Sequence, residues 1–188
     1  MYDNGPFDLW PRPRSGKVTN PRPLPGIQCR MTALDFLRNQ FTYDSWANRE
    51  ELRVLSSLPH PPESAVKLLS HIIAAQWLWF DRLQNNPPRS AVWPETDFSH
   101  CATQLLELDS VWRSYLGRLS EADLAGLCSY TNSKGDAFTS QIIDILNQLI
   151  LHAAHHRGQI SLEIRRTGHV PAPVDYIHAV RKDLLVQR

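Results

Sequence analysis

Two histidines four residues apart, His152 and His156, lie on the apolar side of a long helical stretch, SQIIDILNQLILHAAHHRGQISLEIRRTG. One turn of α-helix returns position i+4 to the side of position i, so one rigid element can present both imidazoles to a single metal ion. Ile142, Leu146, Leu149, Ala153 and Ile160 surround the pair, which points it into a core where an imidazole needs a partner. His71 sits in an equally apolar stretch upstream, LLSHIIAAQWLWF. It can close a three-histidine face that leaves one or more coordination positions open to water or substrate. A divalent ion held by neutral imidazoles stays cationic and lowers the pKa of a water or thiol that reaches it. The rival reading is a set of core histidines hydrogen-bonded to backbone or to acids.

Three neighbours are candidates for the chemistry around such an ion. Gln159 is seven residues from His152 and returns to the same helical face, where it can orient a ligand or a bound water, or pack against another helix. Glu163, seven residues past His156, is the general-base candidate if the reaction is hydrolysis. Arg157 can recognise an anionic substrate, pair with an acid across a dimer, or form a structural salt bridge. His60, His100, His169 and His178 fall in loops or near helix ends, where solvation or local capping accounts for them. Cys29, Cys101 and Cys128 show no CxxC spacing, so any metal must rely on nitrogen and oxygen ligands.

Four long helices must position these residues. Thr32 can cap the first, with Asp35 completing a capping box, and the apolar stripe continues to about Leu58 before Pro59, Pro61 and Pro62 end it. The second is expected from about Glu63 to Leu83, the third from Cys101 to Leu119, and the fourth from Thr139 to Thr167 with Gly168 as its stop. The connection between the first two is short and requires antiparallel neighbours. The long segment QNNPPRSAVWPETDFSH instead allows a crossover, giving an all-α, up-down-down-up four-helix bundle. Around Ser133, Lys134 and Gly135 a small hairpin or ordered loop is expected. Residues 1–31 hold a proline-rich run without periodicity, which reads as a disordered arm before a single domain at 32–188.

Composition narrows the function. With 20 Lys plus Arg against 19 Asp plus Glu, the net charge of +1 offers no electrostatic case for nucleic acid or an anionic membrane. The apolar runs are too short to span a bilayer and the first residues lack a secretory apolar segment, so a soluble cytoplasmic protein is expected. Trp77, Trp79 and Phe80 point in more than one direction from the second helix, which suggests that part of this surface meets a second copy of the chain.

The stretch HAAHHRGQI resembles the signature helix of the DinB-like metalloprotein family, in which a histidine, three intervening residues and HRGQ recur. YDSWAN at Tyr43 to Asn48 is similar to that family's aromatic and asparagine motif, and SHIIAAQWLW to its segment bearing the first metal histidine. The resemblance covers about Thr32 to Arg181 and places His71, His152 and His156 at the metal-ligand positions. It also favours His156 over His155, whose helical direction differs by about 100°. It implies a four-helix bundle, commonly a homodimer, holding a divalent metal, often zinc or nickel. Relatives with assigned reactions include metal-dependent transferases that use a low-molecular-weight thiol on a small electrophile; hydrolysis and a non-catalytic, stress-related metal-binding role are the alternatives.

Overall fold

The structure, a computed structural model, describes residues 31–95, 98–132 and 134–185. The chain divides after Arg30, and the expectation of a disordered proline-rich arm lies outside the described residues. The remainder is mainly helical, with helices α1 (Ala33–Ser57), α2 (Glu63–Leu83), α3 (Cys101–Arg118), α4 (Ile142–Arg166) and the short α5 (Tyr176–Arg181). Strands β1 (Leu127–Thr131) and β2 (Ala137–Gln141) form a two-stranded antiparallel hairpin. Among the described residues no helix is long and apolar enough to cross a membrane.

Helix ends follow their local chemistry. Thr32 Oγ1 accepts the Asp35 backbone N–H at 3.1 Å while Asp35 Oδ2 accepts that of Thr32 at 3.4 Å, the reciprocal box expected from the sequence. At the far end of α4, Gly168 takes φ 81°, which lets the Gly168 and His169 N–H groups cap the carbonyls of Arg165 and Ile164. Helix α4 begins at Ile142 rather than Thr139. The preceding residues pair with β1 instead: Ser129 opposes Thr139 and Tyr130 opposes Phe138, with a Ser129–Thr139 hydroxyl bond at 3.0 Å and stacked Tyr130 and Phe138 rings. The small hairpin expected between the third and fourth long helices is thus present in a mainly helical fold.

Side-chain bonds show how the long helices run past one another. Along α1 and α3, Glu121 just beyond α3 accepts from Leu34 N–H, Arg38 donates to Leu116 carbonyl, and Ser45 donates to Asp109, so rising numbers on one meet falling numbers on the other. Between α2 and α4, Ser64 bonds Glu163 and His71 meets His152. Leu37, Leu55, Leu69, Ile72, Leu105, Leu146, Leu149 and Ile160 are buried in one cluster drawn from all four helices. Each contributes roughly 1.5–3 kcal/mol of transfer free energy towards holding the four helices together.

The aromatic residues of α2 find partners within the chain. Trp77 is buried, Phe80 meets Trp112 and Tyr115 edge-on, and Trp79 meets Tyr130 with the Arg82 guanidinium 4.5 Å from its ring centre. Their side chains thus do not supply the surplus surface that suggested a second copy. The tail after α4 folds back on α1, where Tyr43 donates to the Val174 carbonyl at 2.7 Å and Ala179 of α5 is fully buried. Helix α5 was not anticipated, since six residues are too few for periodicity to be visible.

Candidate metal centre

His71 from α2 meets His152 and His156 from α4, with all three candidate ligand atoms within 4.8 Å of one another. His71 Nε2 and His152 Nε2 are 3.1 Å apart, and the ring centres of His152 and His156 lie 4.4 Å apart. Zinc–nitrogen bonds of 2.0–2.1 Å in tetrahedral geometry place ligand nitrogens roughly 3.3 Å apart, so the His71–His152 spacing suits a shared first-row divalent ion, with the third candidate nitrogen within 4.8 Å of both. The outer ring nitrogens of His71 and His156 are already occupied. A carbonyl can only accept, so the 2.8 Å contact from His71 Nδ1 to Val92 O puts the proton on Nδ1 and leaves the Nε2 lone pair inward. His156 Nδ1 likewise donates to Gln159 Oε1 at 2.6 Å.

Electrostatics keep His71 and His152 in the form a metal requires. Burial lowers the pKa of His71, repulsion from His156 adds to this, and the Val92 carbonyl opposes it. His152 is pushed down to about 4, first by burial and then by His156, His71 and His155. A lowered imidazole pKa means a neutral ring at neutral pH with its lone pair available.

The crossover after α2 supplies part of the centre. Trp93 stacks on His71 with ring centres 3.7 Å apart and an interplanar angle of 5°, while the residue as a whole stays 59% exposed. The carbonyl of Val92, the residue immediately before it, is the acceptor for His71. This loop is tied to α2 by Arg89, which makes a forked pair with the buried Asp81 and lies 3.7 Å over the Trp77 ring. None of these residues was singled out from the sequence as part of the site. The available signal was an aromatic residue before proline in an otherwise polar crossover, AVWPE.

A family model described as the DinB family matches residues 39–183, a span that contains all three histidines. The chain belongs to the DinB family. It is also similar to Protein DinB of Bacillus subtilis (strain 168), at 22% identity over 160 residues, covering 76% of this chain and 92% of that protein.

In this DinB-family chain the other candidates fall in different places. His155 is exposed on α4, outside the three-histidine group. Arg157 is 2% exposed and donates to Asp44, which is equally buried, and to Asn48 Oδ1 at 2.8 Å. Asp44 Oδ2 takes the amides of Asn48 and Gln76, so Arg157 and Asn48 belong to a polar knot joining α1, α2 and α4. Glu163 accepts from Ser64 at 2.7 Å and from Arg166 at 2.6 Å, and these two bonds hold its carboxyl below the ordinary range. It lies two turns, about 10.5 Å of helix, beyond His156 and is not in the histidine group. Of the remaining histidines, His178 is half-buried and stacks on Trp46 rather than facing water.

One buried acid escaped the sequence reading. Glu51 of α1 is fully buried, and neither carboxyl oxygen has a hydrogen-bond partner among the described residues. Burial raises its pKa from 4.5 to about 7, with Arg157 and Arg165 opposing the rise. A folded-state value above the unfolded one means that the associated stability is whole below pH 4.5 and is lost as pH rises through 7. A shift of this size is worth on the order of 3 kcal/mol. Glu51→Gln, which fixes the neutral form, is expected to unfold at higher urea than the parent at pH 8, with the gap shrinking towards pH 5. Parallel urea curves for the two proteins at both pH values would contradict this.

Proposed function

We propose that this protein binds one divalent ion through His71, His152 and His156 and uses it to transfer a low-molecular-weight thiol to an electrophilic small molecule. The observation that carries the reading is the convergence of three imidazoles, two with their Nδ1 positions tied off by Val92 and Gln159, without a carboxylate in the group. When bound, the ion would supply a cationic centre that favours the deprotonated form of a thiol. The chain's own part is to hold His71 and His152 neutral, fix the planes of His71 and His156 through Val92, Gln159 and Trp93, and restrict water on the side that Trp93 covers. Hydrolysis needs a base beside the bound water, and Glu163 is engaged with Ser64 and Arg166 instead. Zinc and nickel both suit this nitrogen donor set.

The same reading extends to assembly. The opposed numbering along α1 with α3 and along α2 with α4, together with the short α1–α2 connection, supports the up-down-down-up order with the crossover between α2 and α3. A homodimer is proposed on the family resemblance; light scattering at tens of micromolar protein tests it, with a monomer as the contrary result.

The deciding experiment uses untagged protein, with its metal identified by elemental analysis. Conjugation of a chromogenic electrophile is followed with bacillithiol, mycothiol and simpler thiols, for metal-loaded and chelated protein. A metal-dependent rate with one thiol is the expected result; turnover of an ester or amide without any thiol would replace transfer by hydrolysis. Gln159→Ala, which frees His156 Nδ1, is expected to weaken metal affinity about 10- to 100-fold in a competition titration with a chromogenic chelator. Unchanged affinity would reduce Gln159 to a packing residue.

A further inference from the structure

Helix α4 has two faces of opposite character. Ile145, Leu149, Ala153, Ile160 and Ile164 are buried, and on the opposite side Gln148, Leu151, His155, Gly158, Leu162 and Arg165 are exposed at alternating steps of three and four residues. Such a series drifts by only about 20° in seven residues, so it forms one nearly straight seam, the spacing with which two helices pack along each other. Leu151 is 68% exposed and Leu162 47%. A single exposed leucine is ordinary, whereas two on one seam with a glycine between them make a patch.

Gly158 is the second observation. It stands in mid-helix, where glycine is the poorest helix former after proline, yet an added Cβ would meet nothing within 4 Å. No neighbour inside the chain requires the missing side chain. What glycine permits there is the close approach of a backbone or a bulky side chain from outside. A groove of about 740 Å³ between α4 and residues 169–175 runs beside it, and Val170 on the edge of that groove is 85% exposed.

Charge then selects the partner. The seam begins on an acid, with Asp144 one step before Gln148, and ends on Arg165, both of them exposed. Laid antiparallel on itself, it sets Leu162 against Leu151 of a second copy and the His155 imidazole against the second copy's Gly158. One register satisfies both pairs, because Leu151 and Leu162 lie equally far from the midpoint between His155 and Gly158. The same register brings Asp144 within a turn of the second copy's Arg165 at each end. A parallel arrangement would instead oppose like charges at both ends.

We propose that this seam of α4 is the face on which a second copy of the chain docks, antiparallel and about a two-fold axis passing between His155 and Gly158. The proposal rests on the homodimer reading above and assigns the surface it uses. His155, which stands outside the metal group, has its place here.

Light scattering and sedimentation of the full chain over a dilution series read the dissociation constant. Each contact occurs twice in a two-fold dimer, so Leu162→Glu is expected to raise that constant more than about 100-fold. Gly158→Phe, which fills the seam while improving helix propensity, should do the same. Both should keep the helical circular dichroism and metal content of the parent. Asp144→Lys and Arg165→Glu should each weaken the dimer about tenfold, and the double variant should return close to the parent. Parental affinity in both Leu162→Glu and Gly158→Phe would overturn this face and leave the homodimer reading standing. A double charge variant weaker than either single one would overturn the antiparallel register, and a parent that is monomeric at tens of micromolar protein would remove both readings.

Discussion

Alanine in place of His71, His152 or His156 is expected to strip the protein of its metal, with affinity falling by more than about 100-fold, beyond the 10- to 100-fold typical of a group that only orients a ligand. His155→Ala is expected to retain full occupancy, because His155 is exposed and stands outside the group of converging nitrogens. Elemental analysis of the four untagged variants, followed by chelator competition, checks both statements; loss in His155→Ala with retention in His156→Ala would reverse the ligand assignment. Fold and metal should separate in these proteins. The buried cluster of leucine and isoleucine from α1 to α4 is complete without an ion, so the far-ultraviolet circular dichroism should stay close to that of the parent. If the centre activates a thiol, the same three variants lose conjugation at unchanged helicity. Acid should also release the metal, since ligation requires unprotonated imidazoles; the lowered pKa values of His71 and His152 delay this below the ordinary histidine range.

What the sequence displayed well were features with a period or a local partner. The spacing of His152 and His156 is a statement about one helical turn, and the Thr32–Asp35 cap spans three residues, so both are legible without knowledge of the fold. The proline cluster at 59–62 and Gly168 likewise marked helix ends through their own backbone limits. The start of α4 was misjudged because Ala137–Gln141 carries both helix-compatible and strand-compatible residues, and its pairing with β1 decides between them. Trp93 and the Val92 carbonyl were hidden for a different reason: an irregular crossover has no period, and the closure of this one onto His71 depends on the Arg89–Asp81 fork eight residues apart. Glu51 was invisible in principle. A glutamate on an amphipathic helix is ordinarily solvated, and only the packing of α1 against its neighbours shows that this one is not.

The polar knot that begins at Arg157, next to His156, carries the largest expected stability effect. Asp44→Ala would leave the Arg157 guanidinium buried without its carboxylate, and the Asn48 and Gln76 amides without their shared acceptor. Breaking a buried pair from one side costs about 3–5 kcal/mol, against a total of about 5–15 kcal/mol for a typical domain. Urea unfolding at pH 7 should therefore show a midpoint far below that of the parent. The double variant Asp44→Leu, Arg157→Met removes both charges while retaining volume, and should recover much of this loss, because no isolated charge remains in the core. A double variant as unstable as Asp44→Ala would locate the cost in the stranded amides or in lost packing. Metal affinity then separates two roles for the pair. Arg157 follows His156 directly on α4, and its bonds to Asp44 and Asn48 tie that turn of helix to α1. If the stable double variant binds metal as tightly as the parent, the knot serves stability alone; if its affinity drops while its unfolding curve recovers, the ion pair sets the position of His156 in the centre.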